Sequence, residues 1–246
     1  KLAYWLANRI DQLVFLTLSG VSYAYQNNGA PRPANSPFPN LAFAPDVHAP
    51  TSKRHLRWDA TQGLVQGDNS AIEPADTIGY ATIVDAMAYA KDHYLPPLMA
   101  GGKEYYVGLV RPGTLAQLKK DPDFQRALVG AMPRSKEHPW FTGATVTVDG
   151  LVLHEHRLVY STLGAASGMK WGSDGKVDGT RTLICGAQAL GMADLGAPDW
   201  EEKKFDYGSK QGISVDKMFG LLKPMFYSLY DRSVEDFSVL AIDHAL

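Results

Sequence analysis

A single cysteine, Cys185, stands among 246 residues. One thiol cannot close an intrachain disulfide or build a Cys-only zinc knuckle, and it gives no reason to expect an oxidising compartment. Charge of one sign is just as scarce. The 24 Lys+Arg against 26 Asp+Glu leave a net charge of −2, which excludes a chain that holds nucleic acid by overall positive charge while leaving a local basic patch open. No apolar run approaches the roughly 18–20 residues a helix needs to cross a bilayer, so no membrane partner is expected. No basic-then-apolar leader with a small-residue cleavage site opens the chain. A helical pattern is already running at Lys1 with no N-cap before it, so we expect protein upstream of that residue.

What is present is ordinary for a folded chain with a sizeable core: 45% hydrophobic and 20% charged residues, in a length that suits one large domain or two sharing a core. Residues 1–19 read as an amphipathic helix, with Leu2, Leu6, Ile10, Leu13 and Phe15–Leu16 on one broad face and Gly20 placed to end it. From Ala30 to Pro50, six prolines forbid a regular helix or central strand. Phe38, Leu41, Phe43 and Val47 lie between them, which favours an extended segment pinned along another surface over a loose linker. Asp76 is the expected N-cap of a helix through about His93. Tyr105–Val110 reads as a short buried strand. Thr114 is expected to cap a second helix, and Asp121–Pro122 to start a further turn or helix with Phe124, Leu128 and Val129. Asp149–Gly150 between ATVTV and LVLHEHRLVY, over Ala144–Tyr160, is a hairpin signal. Thr182–Cys185 is a further strand, and the apolar bursts beyond Trp200 read mostly as strands of a second sheet.

Few patterns point to chemistry. His154 and His156 would share a face of a strand, but a zinc site needs further ligands; only His138 is near in sequence, and two histidines on a hairpin's wet face is the favoured account. Asp174–Gly179 falls short of a calcium loop because Lys176 occupies the third ligand position and Cys185 the place of the bidentate Glu. Gly164–Lys170 fails the phosphate-loop spacing, and neither GxGxxG after a strand nor GxSxG occurs. Cys185 sits in the apolar run LICGA and reads as core. Lys53-Arg54-His55 with Arg57 and Trp58 is the densest positive cluster: either a nucleic-acid contact with one stacking aromatic, or, as favoured, a rim paired with acidic residues. No catalytic, cofactor-binding or metal residue is assigned.

The order of segments resembles one family, the major capsid proteins of tailed bacteriophages with the Hong Kong 97 fold. Arg9–Gly20 is similar to the end of that fold's spine helix. Asp76–Ala90 is similar to the first helix of its axial domain, and Glu104–Asp121 to the strand, proline and helix that follow. Phe141–His156 resembles its hairpin, and Cys185–Gly196 with Val234–Leu246 its return to the peripheral domain. GGKEYY, AMPR, FTGA, CGAQALGMAD and FDY together resemble the podovirus-type branch. The likeness runs over most of the chain, and its joint order is more specific than any one stretch.

The resemblance implies an α+β capsid fold whose N-terminal arm and long hairpin loop lie upstream of Lys1. It implies three segments: 1–75, the spine-helix end and proline-rich stretch of the peripheral domain; 76–196, the axial domain; and 197–246, the return to the peripheral domain. It also implies a coat protein, not an enzyme. Such a protein forms the hexamers and pentamers of an icosahedral shell around double-stranded DNA, which it touches without sequence specificity. Decoration, portal or scaffolding proteins are further partners; the location is the virion, after assembly in the host cytoplasm. Two other classes stay open: a metal-dependent hydrolase using His154 and His156, and a monomeric nucleic-acid-binding module using Lys53–Trp58. The prolines of 30–50 lower the entropy lost when an extended segment docks on a neighbour. Pro37→Gly with Pro39→Gly should therefore reduce shell yield more than melting temperature; a proportional fall in both would place this segment in the core.

Overall fold

The computed structural model describes residues 2–33, 47–131 and 146–246. The proline-rich stretch from 34 to 46 and His138 lie outside them. In chain order the elements are α1 (Leu2–Ser19), β1 (His55–Asp59), β2 (Gly63–Gln66), α2 (Tyr80–Asp92), β3 (Leu98–Ala100), β4 (Lys103–Val110), α3 (Pro112–Lys120), α4 (Pro122–Ala131), β5 (Val146–Val148) and β6 (Leu151–Glu155). There follow β7 (Gly179–Cys185), β8 (Gly191–Asp194), β9 (Asp199–Phe205), β10 (Lys210–Asp216), β11 (Phe219–Leu222), β12 (Met225–Ser228), β13 (Ser233–Asp236) and β14 (Val239–Ala245).

An eight-stranded mixed sheet organises the chain, in the order β2-β1-β14-β7-β4-β6-β5 with β3 paired to β4. Its centre is the antiparallel pair β7 and β14, buried along their whole lengths. Alternation assigns the two faces. Ile184, Leu240 and Ile242 join Ile83, Met87, Leu118, Phe124 and Leu128 of α2–α4 in the larger core, while Leu183, Cys185, Val239 and Ala241 pack with Leu18 of α1. A strand covered on both faces reads as a continuous apolar run, which is why β7 was visible in the sequence.

The expected α1 and its stop are observed. Gly20 has φ 65°, with its N–H bonded to the Thr17 carbonyl and that of Val21 to Leu16, a double closure that needs a left-handed residue. Asp149 (φ 49°) and Gly150 (φ 81°) make the tight turn of the β5–β6 hairpin, as the Asp-Gly pair requires.

Four expectations are corrected. Asp76 does not cap α2; its carboxylate accepts from the Ala60 and Glu73 N–H groups, at 2.9 and 2.8 Å. The helix begins after Gly79, and the Tyr80 N–H donates to Asp121 Oδ2 at 2.5 Å. Asp121 also accepts from the Asp123 N–H at 3.0 Å, so one carboxylate serves the N-termini of both α2 and α4. Thr114 is buried inside the first turn of α3, which follows Arg111 and opens on Pro112. The strand of His154 ends at Glu155, short of Tyr160. The last apolar burst is not in a second sheet: β14 lies between β1 and β7 at the centre of the main one. The segments 1–75, 76–196 and 197–246 all contribute strands to that sheet.

The interior holds charge as well as hydrocarbon. Arg181 on β7 and Asp243 opposite it on β14 form a two-pronged pair, Nε to Oδ1 and Nη2 to Oδ2, each 2.7 Å. Arg181 Nη1 donates to the Ser19 carbonyl at the end of α1 at 2.5 Å, and His55 Nε2 of β1 meets Asp243 Oδ2 at 2.7 Å. Burial works to raise the Asp243 carboxyl, yet Arg181 and His55 hold it below its ordinary value. Burial likewise works to lower Arg181, and Asp243 holds it above.

His244, on the opposite face, is buried and neutral. Its Nδ1–H donates to the Ala245 carbonyl at 2.9 Å and Nε2 accepts from the Thr182 hydroxyl at 3.0 Å. Burial drives its pKa down to about 4, from 6.5. The unfolded chain therefore binds the proton that the native chain refuses. This contribution to stability is complete above about pH 6.5 and is lost as pH falls towards 4, a loss of about 3 kcal/mol. Asp243 adds its own loss only below about pH 4. Urea unfolding at a series of pH values should show the fall between 6.5 and 4, and His244→Gln should flatten it.

Candidate assembly interface

The positive cluster at 53–58 is where a nucleic-acid reading would have to stand. Arg54 is fully buried. Its Nη2 donates to the His93 carbonyl at 2.9 Å, its Nε to the Asp236 carbonyl at 3.3 Å, and Nη2 lies 3.5 Å from Asp231 Oδ2. Burial lowers its pKa against the attraction of Asp231. His55 belongs to the Asp243 pair, and Arg57 Nη1 meets Asp59 Oδ2 at 3.0 Å. The Lys53 N–H donates to Glu235 Oε2 at 3.2 Å. Thr51 and Asp236 exchange two bonds, at 3.3 and 3.0 Å.

The cluster is thus a clamp. It holds the β12–β13 hairpin and its turn against β1 and the end of α2. His93 Nδ1 completes it, 2.7 Å from Asp231 Oδ1. Beside it Lys223 Nζ meets Asp236 Oδ2 at 2.7 Å. Burial lowers the lysine and raises the aspartate, each outweighing the attraction between them. The expected pairing with acids holds, but Arg54 is buried within the chain and not on a solvated rim. Arg57 finds its partner two residues on, in Asp59; Asp231, Glu235, Asp236 and Asp243 come from the far end of the chain, where no local signal could have named them.

The two histidines, His154 and His156, meet no further ligand among the described residues. Their rings lie 6.3 Å apart, and His156 stacks on Phe15 of α1 with centroids 4.5 Å apart and planes at 6°. His156 Nδ1 accepts from the Leu158 N–H at 3.2 Å, and burial lowers its pKa. Among the described residues no group of three or more His, Cys, Asp or Glu side chains is arranged to hold a metal ion. In the Asp174–Gly179 stretch, Asp178 pairs with Lys170 at 2.6 Å and Gly175 turns the chain at φ 63°. Cys185 is buried, and burial pushes its thiol up to about 12, away from reactivity. No helix among the described residues is long and apolar enough to cross a membrane.

The surface that distinguishes this chain lies between 191 and 236, in ribbons outside the main sheet. The registers β8 with β11 and β9 with β10 make one long hairpin, interrupted where residues 195–198 face Lys217–Met218. Every residue of β9 is exposed. Large apolar side chains are exposed along the hairpin, among them Leu195, Trp200, Phe205, Tyr207, Ile213 and Met218, and again on β12–β13 at Tyr227 and Val234. Tyr227 on one strand faces Val234 on the other. Strands beyond Trp200 outside the main sheet were expected and β10 and β11 are such strands, but β9 and the exposure of the arm were not foreseen, because β9 is mostly charged and carries no apolar stripe. The signal that could have found it is the turn chemistry at Asp206-Tyr207-Gly208 between two strand-length runs.

The model of the family described as phage capsid protein matches residues 1–246. A curated relative, the major capsid protein of Pseudomonas phage KPP25, is 52% identical over 245 residues, covering 98% of this chain and 65% of that protein. Among solved structures, the capsid of Ralstonia phage GP4 is similar with a TM-score of 0.70 at 23% identity, over 98% of this chain and 64% of that one. The capsid of cyanophage Pam1 follows with a TM-score of 0.58 at 18% identity, over 72% of this chain and 49% of that one. The chain thus spans slightly less than two thirds of the relative's length, and at these identities the solved structures show the shared fold, a Hong Kong 97-like capsid architecture. With the family matched from the first residue to the last, the chain belongs to the phage capsid protein family.

Proposed function

We propose that this chain is the greater part of a major capsid protein that assembles into an icosahedral shell around phage double-stranded DNA. The observation that carries the reading is the 52% identity to a major capsid protein across 98% of the chain. The physics of the surface supports it. Identical subunits close rings through head-to-tail contacts, and a net charge of −2 keeps repulsion between packed copies small. Many modest contacts per subunit then make a stable shell.

In this reading the protein works without catalysis, as hexamers and pentamers in the virion, after assembly in the host cytoplasm. Packaged DNA meets its inner face through backbone charge alone, and portal, scaffolding or decoration proteins meet its edges. Residues 76–196 supply the axial domain near the ring centre, with β1, β2 and β14 completing its sheet. The end of the spine helix, α1, and the ribbons after 196 extend towards the periphery.

Purified full-length protein examined by electron microscopy and sedimentation should show rings or closed shells. Material that stays monomeric at high concentration would overturn the proposal. A subunit density with α2 at the outer rim of the ring would overturn the domain assignment alone.

A further inference from the structure

The long hairpin of β8–β11 is built like half of a contact. A two-stranded ribbon is marginal alone in water and needs a layer to cover it, yet every residue of β9 is exposed. Its tip is also strained. Asp206, Tyr207 and Gly208 are all left-handed, at φ 54°, 51° and 89°, a conformation a bulky residue rarely adopts. Tyr207 there is fully exposed. Backbone strain of this kind clusters where a segment works on something outside itself. Large apolar side chains stay in water on both faces of the ribbon, Phe205 on one and Trp200 with Ile213 on the other.

Its pattern says what covers it. Phe205 and Tyr207 make an apolar tip, and where the β9–β10 half meets the β8–β11 half Leu195 and Met218, each more than 70% exposed, make its apolar root. Between them the charge divides. Lys203 and Lys210 lie towards the tip, on the face shared with Phe205, with Lys210 Nζ 3.8 Å from Asp206 Oδ2 in an exposed pair. Asp199, Glu201 and Asp216 lie towards the root on the same face, since successive residues alternate and cross-strand partners share a side. From tip to root the face therefore runs apolar, basic, acidic, apolar. Turned end for end, that series is its own complement.

We propose that the arm docks antiparallel on the same arm of a second copy of this chain, tip to root, across a local two-fold axis. The basic half of each face meets the acidic half of the other, and Tyr207 of one copy reaches the Leu195–Met218 root of the next. Such an isologous contact needs no other partner. The proposal rests on the shell reading above, because a two-fold contact between arms is a way to join neighbouring subunits.

The test uses full-length protein in two charge-swapped forms, Lys203→Glu with Lys210→Glu, and Asp199→Lys with Glu201→Lys. All four positions are exposed, so melting temperatures should match the unaltered protein. Each form alone should lower the assembled fraction about tenfold or more through like-charge contact, and an equal mixture should restore it. A photoreactive benzophenone amino acid at Tyr207 should yield a cross-link of doubled mass, mapped to the root of a second chain. Charge-swapped forms that assemble normally, a mixture that fails to recover, or a cross-link absent, confined to one chain or made to a different protein would overturn the arm contact. The shell reading is judged separately, by whether the unaltered protein assembles; if it does not, that reading falls and the cross-linked mass decides the arm.

Discussion

The pair of Arg181 and Asp243 is the interaction on which the rest depends. It bridges β7 and β14 in the middle of the sheet, and through Ser19 and His55 it reaches α1 and β1 as well. Burying two charges is expensive, and the attraction repays it only when the geometry is good and the remaining donors and acceptors find partners. Here the guanidinium is forked onto the carboxylate and its third nitrogen meets a helix-end carbonyl, the arrangement that suits arginine better than lysine. The consequence is order: four elements from distant parts of the chain meet at one place.

The strand that carries Asp243 sets the division between body and appendage. On one side of β14 the main sheet, with α2–α4 across one face and α1 on the other, forms the rigid part. Just before it, the ribbons from 191 to 236 leave the sheet and return. Arg54, His93 and Lys223 hold only the near ribbon, β12–β13, by its acidic residues. The far arm has exposed backbone pairing and little covering, the features of a segment with low local stability. A subunit built this way can keep its fold while its arm adapts to a neighbour, which is what a shell of many quasi-identical positions asks of it.

Local rules read much of this correctly. The stripe and glycine of residues 2–20, the Asp-Gly turn at 149–150 and the apolar run of β7 all depend on neighbours in sequence, so they were legible there. The capping assignment at Asp76 failed because the α2 N-terminus is satisfied by Asp121, whose side chain arrives from the start of another helix, and that at Thr114 because α3 already opens on Pro112 after Arg111. The terminal strand was assigned to the wrong sheet because strand pairing over such separations leaves no periodic trace. The basic cluster at 53–58 was rightly read as paired, but most of its partners lie near the other end of the chain, and the charged strand β9 of the arm leaves no hydrophobic trace in the sequence.

The sequence by itself determined the segments, their breaks, the absence of a nucleophile or metal motif, and a joint order of motifs sufficient to identify the family. Those features are set by spacing, and spacing survives in one dimension. Only the tertiary structure decided which strand lies at the centre, which charges are neutralised and which apolar side chains are left in water. Each of these depends on the distance between residues far apart in the chain, and that distance exists only once the backbone has folded and burial has given every charge its local dielectric.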